Sequence, residues 1–202
     1  MTMSDADWWS LLRELDEPVP PVEHRLSPES ILRAMVDGTV PQSVLTAWNE
    51  RLESGAGGDL EMPRQFDLAA TQGRFDRLTE RLSEAFGCQC VAWHPQDSAC
   101  FGGIEIPAEA SRSRTKRTRI PLSLGVSVSN FGGLATYGAS APWGHTSHLH
   151  PDDGARIEEI LTGLGYLLVP EHILATPYDG PNGWVFVPTD EATWFTRFFD
   201  YL

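Results

Sequence analysis

The stretch from Ile120 to Ser129 constrains the fold more than any other part of the chain. Ile120, Leu122, Leu124, Val126 and Val128 alternate with Pro121, Ser123, Gly125, Ser127 and Ser129. Successive side chains of a strand point to opposite faces. This period of two therefore predicts a β-strand with one apolar face on a core and one face of small polar groups. Asn130-Phe131-Gly132-Gly133 follows, and such turn chemistry predicts a return through residues 134–137 as an antiparallel hairpin. Upstream, residues 88–93 and 101–106 read as two strands around the turn His94-Pro95-Gln96-Asp97-Ser98. Residues 166–169 and 184–187 read as short strands.

Helical spacing fills the rest. Trp8, Trp9, Leu11, Leu12 and Leu15 predict a short amphipathic helix, stopped by Pro18-Val19-Pro20-Pro21. Ser27-Pro28 opens a second helix with Ile31, Leu32, Met35 and Val36 on its apolar face. Pro41 opens a third with Val44, Leu45, Trp48 and Leu52, and Gly55, Gly57 and Gly58 end it. Phe75, Leu78, Leu82, Ala85 and Phe86 predict a longer helix capped by Gly87. Pro151 starts another, with Ile157, Ile160, Leu161 and Leu164 inward and Gly165 at its end. Trp194, Phe195, Phe198, Phe199 and Leu202 form an aromatic stripe expected to dock as structure. Helices and strands fall in separate blocks. The predicted fold class is α+β, an antiparallel sheet with hairpins packed by helices and preceded by a small N-terminal helical region. The expected division is 1–54 and 60–202, with one continuous domain as the open alternative.

Composition narrows the function. A chain of 202 residues with 41% hydrophobic residues and seven tryptophans can bury a large core. No apolar run approaches the roughly 18 residues of a membrane span. The acidic start Met1-Thr2-Met3-Ser4-Asp5 does not read as a secretory leader, and the three cysteines are too few for a disulfide scaffold. These features predict a cytoplasmic location and no membrane partner. A net charge of −13 repels phosphate backbones and anionic lipid, so nucleic acid is a disfavoured partner. It favours a basic protein partner, or simply solubility.

Four constellations could carry chemistry. Residues 112–119 hold Arg112, Arg114, Lys116, Arg117 and Arg119, five of the 15 Lys and Arg residues in eight positions. That strip reads as a solvated loop or guarded strand edge, with a phosphate or acidic-partner contact as the alternative. No aromatic residue interleaves with it to stack bases. A second group, His145, His148, His150 and Asp152, has the donor types of a metal site. The favoured reading is a polar loop in which His150 or a neighbour caps the next helix, with Asp152 and Asp153 complementing its dipole. Third, Cys88, Cys90, His94 and Cys100 form a zinc-like set around a predicted hairpin. Free cysteines packed in a sheet are the favoured account. Fourth, residues 27–52 have helix-turn-helix spacing, but their second helix lacks the cations that hold phosphates. Neither G-x-S-x-G nor H-E-x-x-H occurs, and no glycine-rich phosphate loop follows a strand. No cofactor is expected.

Two resemblances follow. His148-Leu149-His150-Pro151-Asp152 resembles the H-x-H-x-D portion of the metallo-β-lactamase signature. That likeness implies a metal-dependent hydrolase using His145, His148 and His150. Asp153, however, stands where that family has another histidine, and only His172 lies downstream. In its size, its acidity and its ending Trp194-Phe195-Thr196-Arg197-Phe198-Phe199-Asp200-Tyr201-Leu202, the chain resembles the small immunity proteins of bacterial polymorphic toxin systems. That resemblance implies an inhibitor that binds a basic toxin domain through a complementary acidic surface, and it assigns no functional residue.

Overall fold

A computed structural model describes residues 3–18, 60–63, 66–95, 98–116, 119–139, 146–186 and 192–200. The helices expected from Ser27 and Pro41, and with them the helix-turn-helix spacing, lie outside the described residues. So do Arg117, His145 and Leu202.

Five strands form one sheet in the order β1 (Val91–Trp93), β2 (Cys100–Ile106), β3 (Leu124–Ser129), β4 (Leu134–Ala139) and β5 (Leu167–Leu168). The first four pair antiparallel with their neighbours, and β5 joins β4 in parallel. With helices packed on this sheet, the fold is α+β. The hairpin predicted at Asn130 is present. Gly132 and Gly133 take φ of 56° and 70°, a region that glycine enters without a Cβ penalty, and β3 and β4 pair on either side.

The predicted strand from Ile120 is shorter than its alternation suggests. Pairing with β2 and β4 starts at Leu124, and Ile120 is 57% exposed. Residues 113–116 and 119–122 instead bond to each other: Thr115 N donates to the Ile120 carbonyl, and Leu122 N to that of Ser113. The polar face of β3 also differs from expectation. Ser127 and Ser129 are buried along with Leu124, Val126 and Val128. Small residues sit in register across the sheet there, Gly103 beside Ser127 and Ser127 beside Thr136, with the large Trp93 paired to Gly103 at their edge. The Trp93 indole lies so close over Gly103 that a Cβ at that position would overlap it. The serines are small because that face of the sheet is covered.

Helix α1 (Asp5–Leu15) begins in a capping box: Asp7 N donates to Ser4 Oγ, and Ser4 N donates back to the Asp7 carboxylate at 2.9 Å. Helix α2 (Leu68–Phe86) starts at Asp67, whose carboxylate accepts from Ala70 N, and ends at Gly87 with φ 63°. Its buried residues Phe75, Leu78, Leu82 and Phe86 repeat at helical spacing, as predicted. Helix α3 (Pro151–Gly163) buries Ile157 and Leu161 against the same core. Short helices α4 (Glu171–Leu174) and α5 (Trp194–Phe199) complete the described elements. Of the strand expected at 184–187, the described residues 184–186 form none, since residues 183–185 make a 3-10 turn; Val187 lies outside the described residues. The strand expected from Cys88 begins only at Val91, because the chain is still leaving the α2 cap.

Two apolar clusters result. In the first, α2 and α3 cover the sheet through Leu82, Ile104, Val126 and Ile157. The second joins Trp8 and Leu12 of α1 to Ile173, Trp194 and Phe198. The aromatic stripe is thus buried as structure, with Trp194 and Phe198 at 0% exposure.

Candidate functional site

The structure brings two of the four sequence constellations together. The cationic strip and the histidine loop meet at Asp153, which is 1% exposed. One of its oxygens, Oδ2, accepts from Arg112 N at 2.8 Å, Ser113 N at 3.0 Å and Ser113 Oγ at 2.8 Å. Ser113 Oγ in turn accepts from His150 N at 2.9 Å. Asp153 lies in the first turn of α3, as its reading as a helix-dipole acid expects, and has a second role besides. It turns inward, because three donors of the neighbouring loop need an acceptor there.

His150 takes the predicted capping role. Its Nδ1 accepts from Asp152 N at 3.2 Å, ahead of Pro151 at the first helical position. An imidazole nitrogen that accepts carries no proton, so Nε2 is the nitrogen bearing hydrogen in the neutral ring. Asp152, at 55% side-chain exposure, pairs with Arg112 at 2.5 Å. His148 is exposed at the end of the 3-10 turn of residues 146–148. Thr146 is tied away from this junction, donating through N and Oγ1 to Glu171. Among the described residues, no three His, Cys, Asp or Glu side chains gather where they could hold a metal ion.

The described parts of the strip are tied to backbone. Arg114 donates from one guanidinium nitrogen to the carbonyls of Ser111 and Ser113, both at 2.7 Å. Arg119 N donates to Thr115 O, with Arg119 at φ 57°, a left-handed conformation rare for a residue with a Cβ. Lys116 and Arg119 point to solvent.

The cysteine set divides. Cys88 and Cys90 lie with their sulfurs 3.9 Å apart. Cys100 packs inside the sheet, its sulfur 3.4 Å from the Val128 carbonyl, and burial pushes its thiol up to about 12. His94 Nδ1 is 3.0 Å from the Phe101 carbonyl, and its ring sits against Phe75 and Phe101. A carbonyl only accepts, so that nitrogen is a donor. Nearby, Met62, Phe66, Leu68 and Phe101 line a cleft of about 320 Å³, at the small end of ligand-sized cavities.

One polar centre was missed from the sequence. Asp16, just past α1, meets Arg197 of α5 at 2.7 Å, with side chains 0% and 1% exposed. Asp16 also accepts from Tyr178 Oη at 2.5 Å and Asn182 Nδ2 at 2.8 Å. Arg197 donates to the Leu60 carbonyl at 2.7 Å and lies over the Phe131 ring. A signal was available. Arg197 stands inside the aromatic stripe, one residue before Phe198, and a cation on a buried face requires a buried partner.

No known family model, curated protein or solved structure matches this chain. Among the described residues, no helix is long and apolar enough to cross a membrane.

Proposed function

We propose that the protein acts by binding a basic protein and blocking its activity, as an immunity-type inhibitor. The observation that carries this reading is how the charges are deployed. Many cations are engaged within the fold: Arg197 with Asp16, Arg13 with Asp179, Arg112 with Asp152, Arg114 and Arg156 with backbone carbonyls, and Arg74 over the Tyr166 ring. Acids meanwhile stand on exposed surface, among them Glu14 on α1 and Glu17 just past it, Asp76, Glu80 and Glu84 on α2 beside the exposed Arg77 and Arg81, and Glu158 and Glu159 on α3. With a net charge of −13, such a surface attracts a cationic partner over distance and speeds its docking.

The test is affinity capture on the full chain, followed by reconstitution of the purified pair. The expected partner is a basic protein whose own activity falls as this chain is added to equivalence. Its affinity should drop with added salt, since the screening length shrinks from about 10 Å at ~0.1 M to about 3 Å at ~1 M. An acidic partner, a complex indifferent to salt, or a partner fully active when bound would overturn the proposal.

A further inference from the structure

Helix α2 ends in a way that places two sulfurs side by side. Gly87 takes the left-handed cap, and Cys88 N reaches back to the Ser83 carbonyl at 3.1 Å. The chain bends at Cys88, and Cys90 N then donates to Ser83 Oγ at 3.2 Å. In a fully extended chain, residues two apart are about 6.6–6.8 Å apart at Cα, the upper limit for a disulfide. Residues two apart along an extended stretch share one side of the chain, and here the two sulfurs sit 3.9 Å apart. Closing that gap to a bond of about 2.05 Å is within reach of side-chain rotation at the bend.

The two thiols differ in access. Cys88 is partly exposed, Cys90 is 7% exposed, and Cys100 is 2% exposed. Burial pushes the Cys90 thiol up to about 11, which makes it a poor first attacker. It does not prevent Cys90 from attacking a sulfur already beside it, where the reaction is intramolecular.

We propose that Cys88 and Cys90 are a dithiol modification site, closed to an intramolecular disulfide by low-molecular-weight disulfides of the glutathione type. Cys88, as thiolate, attacks one sulfur of the oxidant. The oxidant's S–S bond breaks, and one glutathione thiolate leaves and takes a proton. Cys90 then loses its proton to solvent and attacks the Cys88 sulfur, and the second glutathione leaves. The protein loses two hydrogens, and one glutathione disulfide becomes two glutathione thiols. Cys100 takes no part.

The test equilibrates the full native chain with oxidised and reduced glutathione. The chain is then unfolded in acid without reductant, and the thiols still free are blocked in denaturant by one alkylating agent, so that the buried Cys100 is reached. After reduction, newly released thiols take an isotopically distinct one. Fragmentation between positions 88, 90 and 100 then assigns each label. The wild-type chain should lose two of its three thiols together, with the second label on Cys88 and Cys90 and the first on Cys100. Cys90→Ser should stop at a glutathione adduct on Cys88, and Cys88→Ser should leave Cys90 unoxidised. A wild-type product that retains glutathione on Cys88, a disulfide involving Cys100, or stepwise independent loss of the two thiols would overturn the proposal. The wild-type result decides it even if a variant fails to fold.

Discussion

Asp16 and Asp153 are equally hidden, each at 1% exposure, yet they are held by different chemistry. Asp16 faces a guanidinium, a phenol and an amide, and it ties α1 to α5 across 181 residues of sequence. Asp153 is held by two backbone N–H groups and one hydroxyl, and it ties a loop to the start of a helix some 40 residues away. A buried carboxylate needs its lone pairs filled in either setting. The difference lies in what is stranded when the carboxylate is lost: a full charge inside an aromatic cluster, or neutral donors, two of them on the buried Ser113.

The largest expected effect is at the charged centre. Arg197→Met should lower unfolding free energy by about 3–5 kcal/mol, since it leaves Asp16 charged and buried. Adding Asp16→Asn should recover part of that loss in denaturant titration. A double variant no better than the single would place the loss in the packing of Arg197 on Phe131 instead. Gly180→Ala should follow, at about 1–3 kcal/mol, because a Cβ there would overlap the Asp16 carboxylate and the Tyr178 hydroxyl. Asp153→Ala should cost about 2–3 kcal/mol, with Asp153→Asn closer to about 1, because the amide keeps one acceptor oxygen. An Asp153→Ala variant as unstable as Arg197→Met would erase the contrast. Smallest is Arg112→Ala. Its pair with Asp152 is exposed on both sides, at 62% and 55%, so the change should stay within about 0.5 kcal/mol in salt-free buffer and vanish in high salt.

These two centres also mark how far the sequence reads. The period of two through Leu124, Val126 and Val128, the glycines at 132 and 133, and the helical spacing of Phe75, Leu78 and Leu82 each report a local rule, and each element formed. The proposed cap at His150 was legible for the same reason, since capping is settled within three residues. The inward turn of Asp153 was not legible, because its donors come from Arg112 and Ser113, and no local rule selects a partner at that distance. Ile120 misled for a related reason: its alternation fits a strand, but Thr115 in the ion-rich strip before it bonds its backbone. Trp184–Val187 has strand-like residues, yet Gly183 and the Asn182 contacts with Asp16 and the Glu17 carbonyl draw residues 183–185 into a tight turn. Whether the exposed acids meet a basic partner belongs to the reconstitution experiment, since encounter partners leave no period in a sequence.

Ser113 has one further consequence. Its hydroxyl gives a hydrogen to Asp153 and receives one from the His150 amide, so one oxygen adds two links to those that Arg112 N and Ser113 N make from the turn to Asp153. Neither side can swing open alone without breaking these links. Amide protons at 112, 113, 150 and 153 should therefore exchange with deuterium at a common opening rate, as one cooperative unit, and Ser113→Ala should release the amide at 150 from that unit while those at 112 and 113 stay held by Asp153.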